Sequence, residues 1–110
     1  MVELAQKKCV PCEGGVLPLF MDVARTMMKE LQPEWHLQES DPPKLVRTFK
    51  FKNFREALEF VDKVGAVAEG EGHHPDIEIH YNRVTLSLYT HAINGLHEND
   101  FILAAKIDKL

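Results

Sequence analysis

The sequence predicts an α+β fold of two layers, in which helices cover one face of a four-stranded antiparallel sheet. Segments with apolar residues at three- and four-residue spacing, typical of helices, alternate with two pairs of segments whose apolar residues alternate strictly, typical of strands. The resulting order is helix-strand-strand-helix-strand-strand-helix. Short turns join the members of each strand pair, which are therefore antiparallel. Alternation along each strand indicates that one sheet face is covered and the other is open.

The composition is that of a globular protein, with 110 residues of which 45% are hydrophobic and 27% charged. We expect a single domain over residues 1–110, with residues 1–16 as an irregular N-terminal arm. A net charge of −4 argues against nucleic acid as the main partner. No apolar segment approaches the length of a membrane span, and residues 1–19 lack the apolar segment of a signal peptide. We therefore expect no membrane association and a cytoplasmic location.

The first helix is predicted over residues 17–31. Its apolar residues recur at helical spacing and are Phe20, Val23, Ala24, Met27, Met28 and Leu31. This spacing places them on one face of an amphipathic helix. Pro33 follows and ends the helix, because proline lacks the backbone N–H that a helix interior needs.

Two strands follow, one on each side of a turn signal at residues 40–43. The first is short, and its Trp35 and Leu37 alternate with polar residues. The second has four residues on one face, Leu45, Arg47, Phe49 and Phe51. Its other face is mostly polar and is expected to be solvated.

Asn53 is predicted to begin the second helix, because its side-chain oxygen can cap the helix. Glu56, three residues later, can complete a capping box by accepting from the backbone N–H of Asn53. The helix is expected to run to about Glu69 and to be stopped by Gly70 and Gly72. Its inward residues are predicted to be Phe54, Ala57, Leu58, Val61, Val64, Gly65 and Ala68.

A hairpin and a last helix complete the predicted order. The hairpin is expected to turn at Asn82 and Arg83. Its inward residues are predicted to be Ile77, Ile79 and Tyr81 on one strand and Val84, Leu86, Leu88 and Thr90 on the other. After a loop containing Gly95, the last helix spans about residues 98–109. Its inward residues are predicted to be Phe101, Ala104, Ala105 and Ile107.

Three of the six histidines converge at one end of this hairpin. His73 and His74 precede its first strand and His91 follows its second, so the antiparallel pairing brings them together. Three interpretations are open: a metal site, solvated side chains without a task, and metal-free general acid–base catalysis. Imidazole suits the last, because one ring can donate a proton near neutral pH while another accepts one. The remaining histidines are expected at the surface, with His97 at the N-cap of the last helix, and are His36, His80 and His97.

Cys9 and Cys12 form a single Cys-x-x-Cys pair. Pro11, Gly14 and Gly15 surround it and predict irregular chain, not the strand-to-helix setting of a redox pair. A tetrahedral zinc site would need two further ligands. We interpret the segment as a loop without a metal or redox task. Zinc shared with a distant histidine and redox chemistry are the alternatives.

One long spacing pattern resembles the signature of the pterin-4a-carbinolamine dehydratases. Its members are Glu69, His73-His74-Pro75, Tyr81, His91 and Asp100, separated by three, five, nine and eight residues. Flanking segments at 51–54, 90–96 and 99–101 agree with it. The resemblance extends from about Trp35 to Ile107, and more loosely into the first helix.

The resemblance implies dehydration of 4a-hydroxytetrahydrobiopterin (pterin-4a-carbinolamine) to quinonoid dihydropterin, a step in tetrahydropterin recycling. It implies a pterin substrate, no cofactor and no metal. It also implies a functional link to an aromatic amino acid hydroxylase, which releases this substrate. Members of the family form homodimers and homotetramers whose sheets extend across subunits, and their fold is the one predicted above.

The resemblance also implies roles for the site residues. His73 and His91 would transfer protons, in an order that the sequence leaves open, and His74 would mainly bind and orient the pterin. Glu69 would orient His73 or tune its charge, and Asp100 would do the same around His91. Two further residues would line the pocket with backbone contacts, Pro75 and Thr90.

Two positions depart from the pattern of animal members. Ile77 stands where they carry an aromatic residue, and Ala92 stands where they often carry an acidic one. The Cys9–Gly15 segment is similar to the microbial and plant branch. Animal relatives also act as a dimerisation cofactor for a homeodomain transcription factor, which is the alternative function. A zinc-dependent hydrolase is a third reading.

Overall fold

The computed structural model describes residues 3–11 and 16–110. Its helices and strands are α1 (Met21–Met27), β1 (His36–Gln38), β2 (Lys44–Lys50), α2 (Phe54–Glu71), β3 (Asp76–His80), β4 (Arg83–Leu88) and α3 (Glu98–Ile107). Short 3-10 turns occur at Leu4–Gln6, Met28–Glu30 and His91–Ile93. The predicted α+β class and the predicted order of helices and strands are confirmed.

The four strands form one antiparallel sheet in the order β1-β2-β4-β3. Arg47 and Ile77 both pair with Leu86, and Phe49 and Ile79 both pair with Val84. Residues that pair directly across antiparallel strands share a sheet face, so the predicted inward residues lie together. With the buried residues of α2 and α3 they form the hydrophobic core.

The first helix is shorter than the period of its apolar residues predicts. Leu19 donates its backbone N–H to the carbonyl of Leu96, at 2.8 Å, which holds the chain outside a helix until Met21. Ala24 is buried as expected, whereas 74% of Phe20 is exposed and Val23 is also exposed. The prediction of a helix over residues 17–31 with these residues inward is therefore wrong in length and in part of its inner face.

The second helix begins and ends at predicted signals. Asn53 accepts a hydrogen bond from the backbone N–H of Glu56 at 2.9 Å, as predicted. Gly72 ends the helix in the left-handed conformation, with φ 66°, which glycine adopts without steric cost. Gly70 lies inside the helix and does not stop it, and Phe54 and Leu58 are exposed and not inward.

The hairpin turn and the last helix differ from the prediction in detail. The turn residues are Tyr81 and Asn82, one position earlier than expected, and Tyr81 is exposed and not inward. Eight of the ten residues of α3 are buried. A helix enclosed on nearly all sides belongs to the centre of the core, so α3 is more than the amphipathic cover that the sequence suggests.

Arg47 lies on the apolar face of β2, where it completes a polar contact at the edge of the core. Its Nη1 donates to Asp108 Oδ1 at 2.8 Å, and the Nε1 of Trp35 donates to the same oxygen at 2.8 Å. The guanidinium also lies 4.2 Å from the ring centroid of Phe49. A charged residue thus fits among the phenylalanines because its charge is paired and its guanidinium lies over a ring.

The sheet has two outer strands, β1 and β3, and within residues 3–11 and 16–110 neither pairs with a further strand on its outer side. Unpaired edges tend to recruit another strand, and pairing with a symmetry mate closes them. We therefore expect the chain to self-associate as a dimer or tetramer. Sedimentation equilibrium at micromolar concentration tests this, and a monomer would contradict it.

In the described part of the chain, none of the helices is both long enough and apolar enough to cross a membrane.

Candidate active site

The three clustered histidines line one cavity of about 300 Å³ at the end of the β3–β4 hairpin. His73 and His74 come from the segment before β3, and His91 comes from the 3-10 turn after β4. Pro75 and Thr90 line the same cavity, as expected. The structure therefore brings together the histidines that the hairpin geometry groups from sequence.

The end of α2 delivers the first two histidines to the cavity. His73 donates its backbone N–H to the carbonyl of Ala68 at 3.2 Å, and Gly72 donates to Glu69 at 3.3 Å. These bonds satisfy the last carbonyls of the helix and reverse the chain through the left-handed Gly72. Only 11% of the His73 side chain is exposed, against 60% of that of His74. The turn thus directs His73 inward and His74 toward solvent.

A tight loop after β4 delivers the third histidine. Thr90 donates its backbone N–H to Gly95 at 2.8 Å, which closes the loop around His91. A Cβ atom on Gly95 would lie 2.7 Å from Pro18 Cβ, so only glycine fits at this close approach. The exposed His91 ring lies 4.1 Å from the Tyr89 ring, measured between centroids.

Asp100 is the polar centre of the site and is fully buried. Its Oδ1 lies 2.6 Å from His73 Nε2, and its Oδ2 accepts from Thr90 Oγ1 at 2.9 Å and from the His97 backbone N–H at 3.0 Å. Asp100 is also in the first turn of α3, where the helix dipole favours negative charge. Three partners therefore compensate a carboxylate that would otherwise be costly to bury.

The acidic partners of the histidines differ from the expected ones. Glu69 hydrogen-bonds to His74 Nε2 and not to His73, and both of these side chains are largely exposed. Asp100 hydrogen-bonds to His73, and His91 lies against Tyr89. The expectation that Glu69 orients or charge-tunes His73, and that Asp100 does so for His91, is therefore wrong. The reason is the turn at Gly72, which points His73 toward α3 and leaves His74 beside α2.

The other histidines lie outside the cavity. His80 is on the opposite face of β3 from Ile79, with 74% of its side chain exposed, and His36 is exposed on β1. His97 is the N-cap of α3, as predicted, because its Nδ1 accepts from the backbone N–H of Asn99 at 3.0 Å. Its backbone N–H reaches Asp100, so it supports the site without lining it.

Two cavity residues are absent from the predicted set of site residues, Val10 and Asn99. Asn99 is buried, and its side-chain amide forms two hydrogen bonds with the backbone of Val10. The signal for Asn99 is its position next to Asp100, within the family-like segment 99–101 at the start of a predicted helix. Nothing in the local pattern indicates that Val10 lies 89 residues away along the chain and in contact with it.

The Cys-x-x-Cys segment is described only in part, because Cys12, Gly14 and Gly15 lie outside the described residues. Burial, and then the nearby Glu71 carboxylate, raise the pKa of the Cys9 thiol to about 12. The thiol is therefore protonated at neutral pH, whereas metal binding and nucleophilic attack need the thiolate. Within residues 3–11 and 16–110, no three or more side chains of His, Cys, Asp and Glu are grouped so that they could hold a metal ion.

The two positions that depart from the animal pattern have different surroundings. Ile77 is half-buried and packs against the core on β3, opposite Leu86. Ala92 is exposed and lines the cavity beside His91. Position 92 therefore adds no carboxylate to the cavity, whose lining includes Asp76.

Comparison with known proteins gives a consistent result. Residues 18–110 match the family model of pterin 4 alpha carbinolamine dehydratase. A relative from Methylococcus capsulatus is 50% identical over 107 residues, which cover 97% of this chain and 92% of the relative. One from Halorhodospira halophila is 50% identical over 109 residues, covering 99% and 98%. Both carry the provisional name pterin-4-alpha-carbinolamine dehydratase.

Two solved structures are also similar. A transcriptional coactivator/pterin dehydratase from Brucella melitensis has a TM-score of 0.76 and 32% identity, covering 84% of this chain and 96% of its own. A pterin dehydratase-like protein, identified as a RuBisCO assembly factor in the alpha-carboxysome, has a TM-score of 0.59 and 27% identity, covering 69% and 87%. The fold therefore occurs with more than one named role.

Proposed function

The chain belongs to the pterin 4 alpha carbinolamine dehydratase family, and we propose that it dehydrates 4a-hydroxytetrahydrobiopterin to quinonoid dihydropterin in tetrahydropterin recycling. The observation that carries the proposal is the hydrogen bond between His73 and buried Asp100 at a cavity that His74 and His91 also line. We further propose that an aromatic amino acid hydroxylase supplies the substrate and that the enzyme is a homo-oligomer in the cytoplasm.

The reaction needs two proton transfers and one bond cleavage. The bond between C4a and the hydroxyl oxygen breaks, and a proton delivered to that oxygen lets it leave as water. A proton is removed from the neighbouring ring nitrogen, whose electrons form the new double bond to C4a. One proton is gained and one is lost, and no electrons leave the pterin, so a general acid and a general base suffice.

His73 suits the role of base. In the neutral ring one nitrogen carries the proton, and a carboxylate can only accept, so Nε2–H donates to Asp100. Nδ1 is then the nitrogen with a free lone pair, and it takes the proton from the substrate. The Asp100 carboxylate holds the ring in this tautomer and stabilises the imidazolium that forms, as the aspartate does in a Ser-His-Asp triad.

His91 suits the role of acid, and His74 that of a binding group. The His91 ring is exposed at the cavity and can regain its proton from water after each turnover. His74 hydrogen-bonds to Glu69 at the rim, where both side chains remain solvated. A solvated pair of this kind can orient a ligand, although the pair itself contributes little to stability.

The decisive experiment is stopped-flow measurement of the decay of 4a-hydroxytetrahydropterin with and without the protein. The decay should accelerate in proportion to protein concentration, and His73→Ala protein prepared in the same way is the control for contaminating activity. A decay that the wild-type protein leaves unchanged would contradict the proposal.

We expect turnover to survive removal of metal ions, because proton transfer and C–O cleavage in this mechanism require no Lewis acid. The protein is dialysed against a chelator, its metal content is measured, and kcat is compared before and after. Loss of activity that added zinc restores would contradict the expectation and would favour a zinc site instead.

A second candidate function is a binding role in transcription, favoured by the name of the Brucella melitensis structure, which joins coactivator and dehydratase. A pull-down with the immobilised protein, followed by identification of the bound proteins, tests it independently of the dehydratase assay. His73→Ala protein should retain such binding if the two functions use different surfaces.

A further inference from the structure

Residues 3–11 of the N-terminal arm form one wall of the active-site cavity at Val10. The contact there is made through the backbone, because Val10 donates its N–H to Asn99 Oδ1 at 3.0 Å and its carbonyl accepts from Asn99 Nδ2 at 2.6 Å. A primary amide that both accepts and donates in this way fixes the plane of the Val10 backbone as a neighbouring strand would. The buried Asn99 therefore acts as a clamp on the arm.

Other contacts fasten the same segment on the side away from the cavity. Cys9 donates its backbone N–H to Glu71 Oε1 at 2.8 Å. Lys106 lies 3.7 Å from Glu71 Oε2 and donates to the carbonyl of Ala5 at 2.9 Å. The arm is thus held by α2 and α3 together. Within the described residues, the hydrogen bonds between Asn99 and Val10 are the ones that hold the arm residue lining the cavity.

Asn99 lies in the same helical turn as Asp100, the hydrogen-bond partner of the proposed base His73. Asn99 and Asp100 are neighbours in the first turn of α3, and one faces Val10 while the other faces His73. The backbone N–H of Asn99 also donates to the side chain of His97 that caps this turn. The start of α3 therefore sets the cavity wall and the base relative to one another.

We propose that Asn99 is a positioning residue that clamps the N-terminal arm against the cavity, so that Val10 forms a wall of the pterin site and contributes to substrate affinity. The effect on turnover rests on the proposed dehydratase function, whereas the clamp itself does not. A wall touches the bound substrate and the transition state alike, so its loss raises KM more than it lowers kcat.

Asn99→Ala tests the proposal, and alanine favours the helix more than asparagine does, so α3 is expected to form. KM should rise about tenfold while kcat changes by less than about threefold. The matched control is Glu98→Gln, which removes the partly exposed ion pair of Glu98 with Lys7 in the same arm. Neither Lys7 nor Glu98 lines the cavity, and ion pairs near the surface contribute little to stability. KM should therefore stay within about twofold of the wild-type value.

A second measurement shows whether the arm is seated and does not depend on enzyme activity. In a Cys12→Ser background Cys9 is the remaining thiol, and it is shielded beside Glu71 while the arm is seated. Releasing the arm in Asn99→Ala should raise its rate of alkylation by iodoacetamide at pH 8 by about tenfold or more, because more thiolate forms when the thiol reaches solvent. Glu98→Gln should leave that rate unchanged.

Val10→Pro breaks the contact with Asn99 by a change in the arm, and leaves the sequence of α3 unaltered. Proline lacks the N–H that donates to Asn99, so it should shift KM and Cys9 alkylation in the same direction as Asn99→Ala. This variant decides the matter if circular dichroism shows that Asn99→Ala does not fold.

The outcomes separate the two proposals. The clamp is overturned if the wild-type enzyme is active and a folded Asn99→Ala or Val10→Pro variant keeps both the wild-type KM and the wild-type rate of Cys9 alkylation. Inactive wild-type protein would overturn the dehydratase function, and the alkylation rates would still decide whether Asn99 holds the arm.

Discussion

His73→Ala and His91→Ala are each expected to lower kcat by about 10²-fold or more, which is within the range for a lost general base or acid. His73 is the stronger case, because its Nε2 is fixed on buried Asp100 and its other ring nitrogen is left to accept a proton. In the proposed mechanism the two residues transfer protons in the same reaction. Their effects should therefore not multiply, and the double variant should lose less than the product of the single losses.

Two further histidines calibrate this result. His74→Ala should mainly raise KM, since a side chain at the exposed rim binds substrate and transition state alike. His80→Ala should change neither parameter, because His80 is exposed on the far face of β3. Steady-state kinetics on the four single variants and the double variant, with circular dichroism as the folding control, gives all of these values. A His80 variant as damaged as His73→Ala would show that the strand register is shifted by one residue.

Asp100→Asn is expected to lower kcat by about 10²-fold or more, comparable with the loss of His73 itself. Asp100 receives hydrogen bonds from Thr90 and His97 and contacts His73. Asparagine offers one oxygen and one amide nitrogen, so its amide turns N–H groups toward one of these partners. Facing His73, it favours the tautomer with Nε2 as acceptor and Nδ1 protonated, and that ring cannot accept the substrate proton.

The same substitution should also reduce stability, by about 1 kcal/mol, because the hydrogen bonds that a carboxylate accepts are stronger than those of a neutral amide. Urea denaturation measures this loss, and kinetics measures the loss of turnover. In a cycle with His73→Ala, the double variant should be no slower than His73→Ala alone if Asp100 acts through His73.

Glu78→Gln provides the matched control for Asp100→Asn. It makes the same carboxylate-to-amide change beside a histidine, His80, on the solvent-exposed face of β3. Stability and kcat should both remain at the wild-type level. An Asp100→Asn enzyme with full kcat, or one whose loss multiplies with that of His73→Ala, would show that Asp100 does not act through His73.

The order of helices and strands follows from the sequence because it depends on local rules. The alternation along residues 44–50 and 76–88 selects strands, and the asparagine at position 53 and the glycine at position 72 mark where α2 begins and ends. These signals need only neighbouring residues to operate. The grouping of His73, His74 and His91 follows in the same way, since a hairpin always brings its two open ends together.

Element lengths and inner faces depend on contacts that local patterns do not contain. Leu19 is drawn out of the predicted first helix by a hydrogen bond to Leu96, which is distant in sequence. Almost every side of α3 is buried because the sheet, α2 and the N-terminal turn at Leu4–Gln6 all pack around it. Propensity predicts the existence of these helices, but tertiary packing decides their extent.

The sequence by itself therefore determined the fold class, the order of its elements and the grouping of His73, His74 and His91. Only the tertiary structure decided which partner each site residue has: Asp100 with His73, Glu69 with His74, and Asn99 with Val10. The physical reason is that a side chain's direction depends on the backbone turn that carries it and on the surface packed against it. The left-handed turn at Gly72 and the seating of α3 fix those directions, and the seating of α3 brings together residues far apart in the chain.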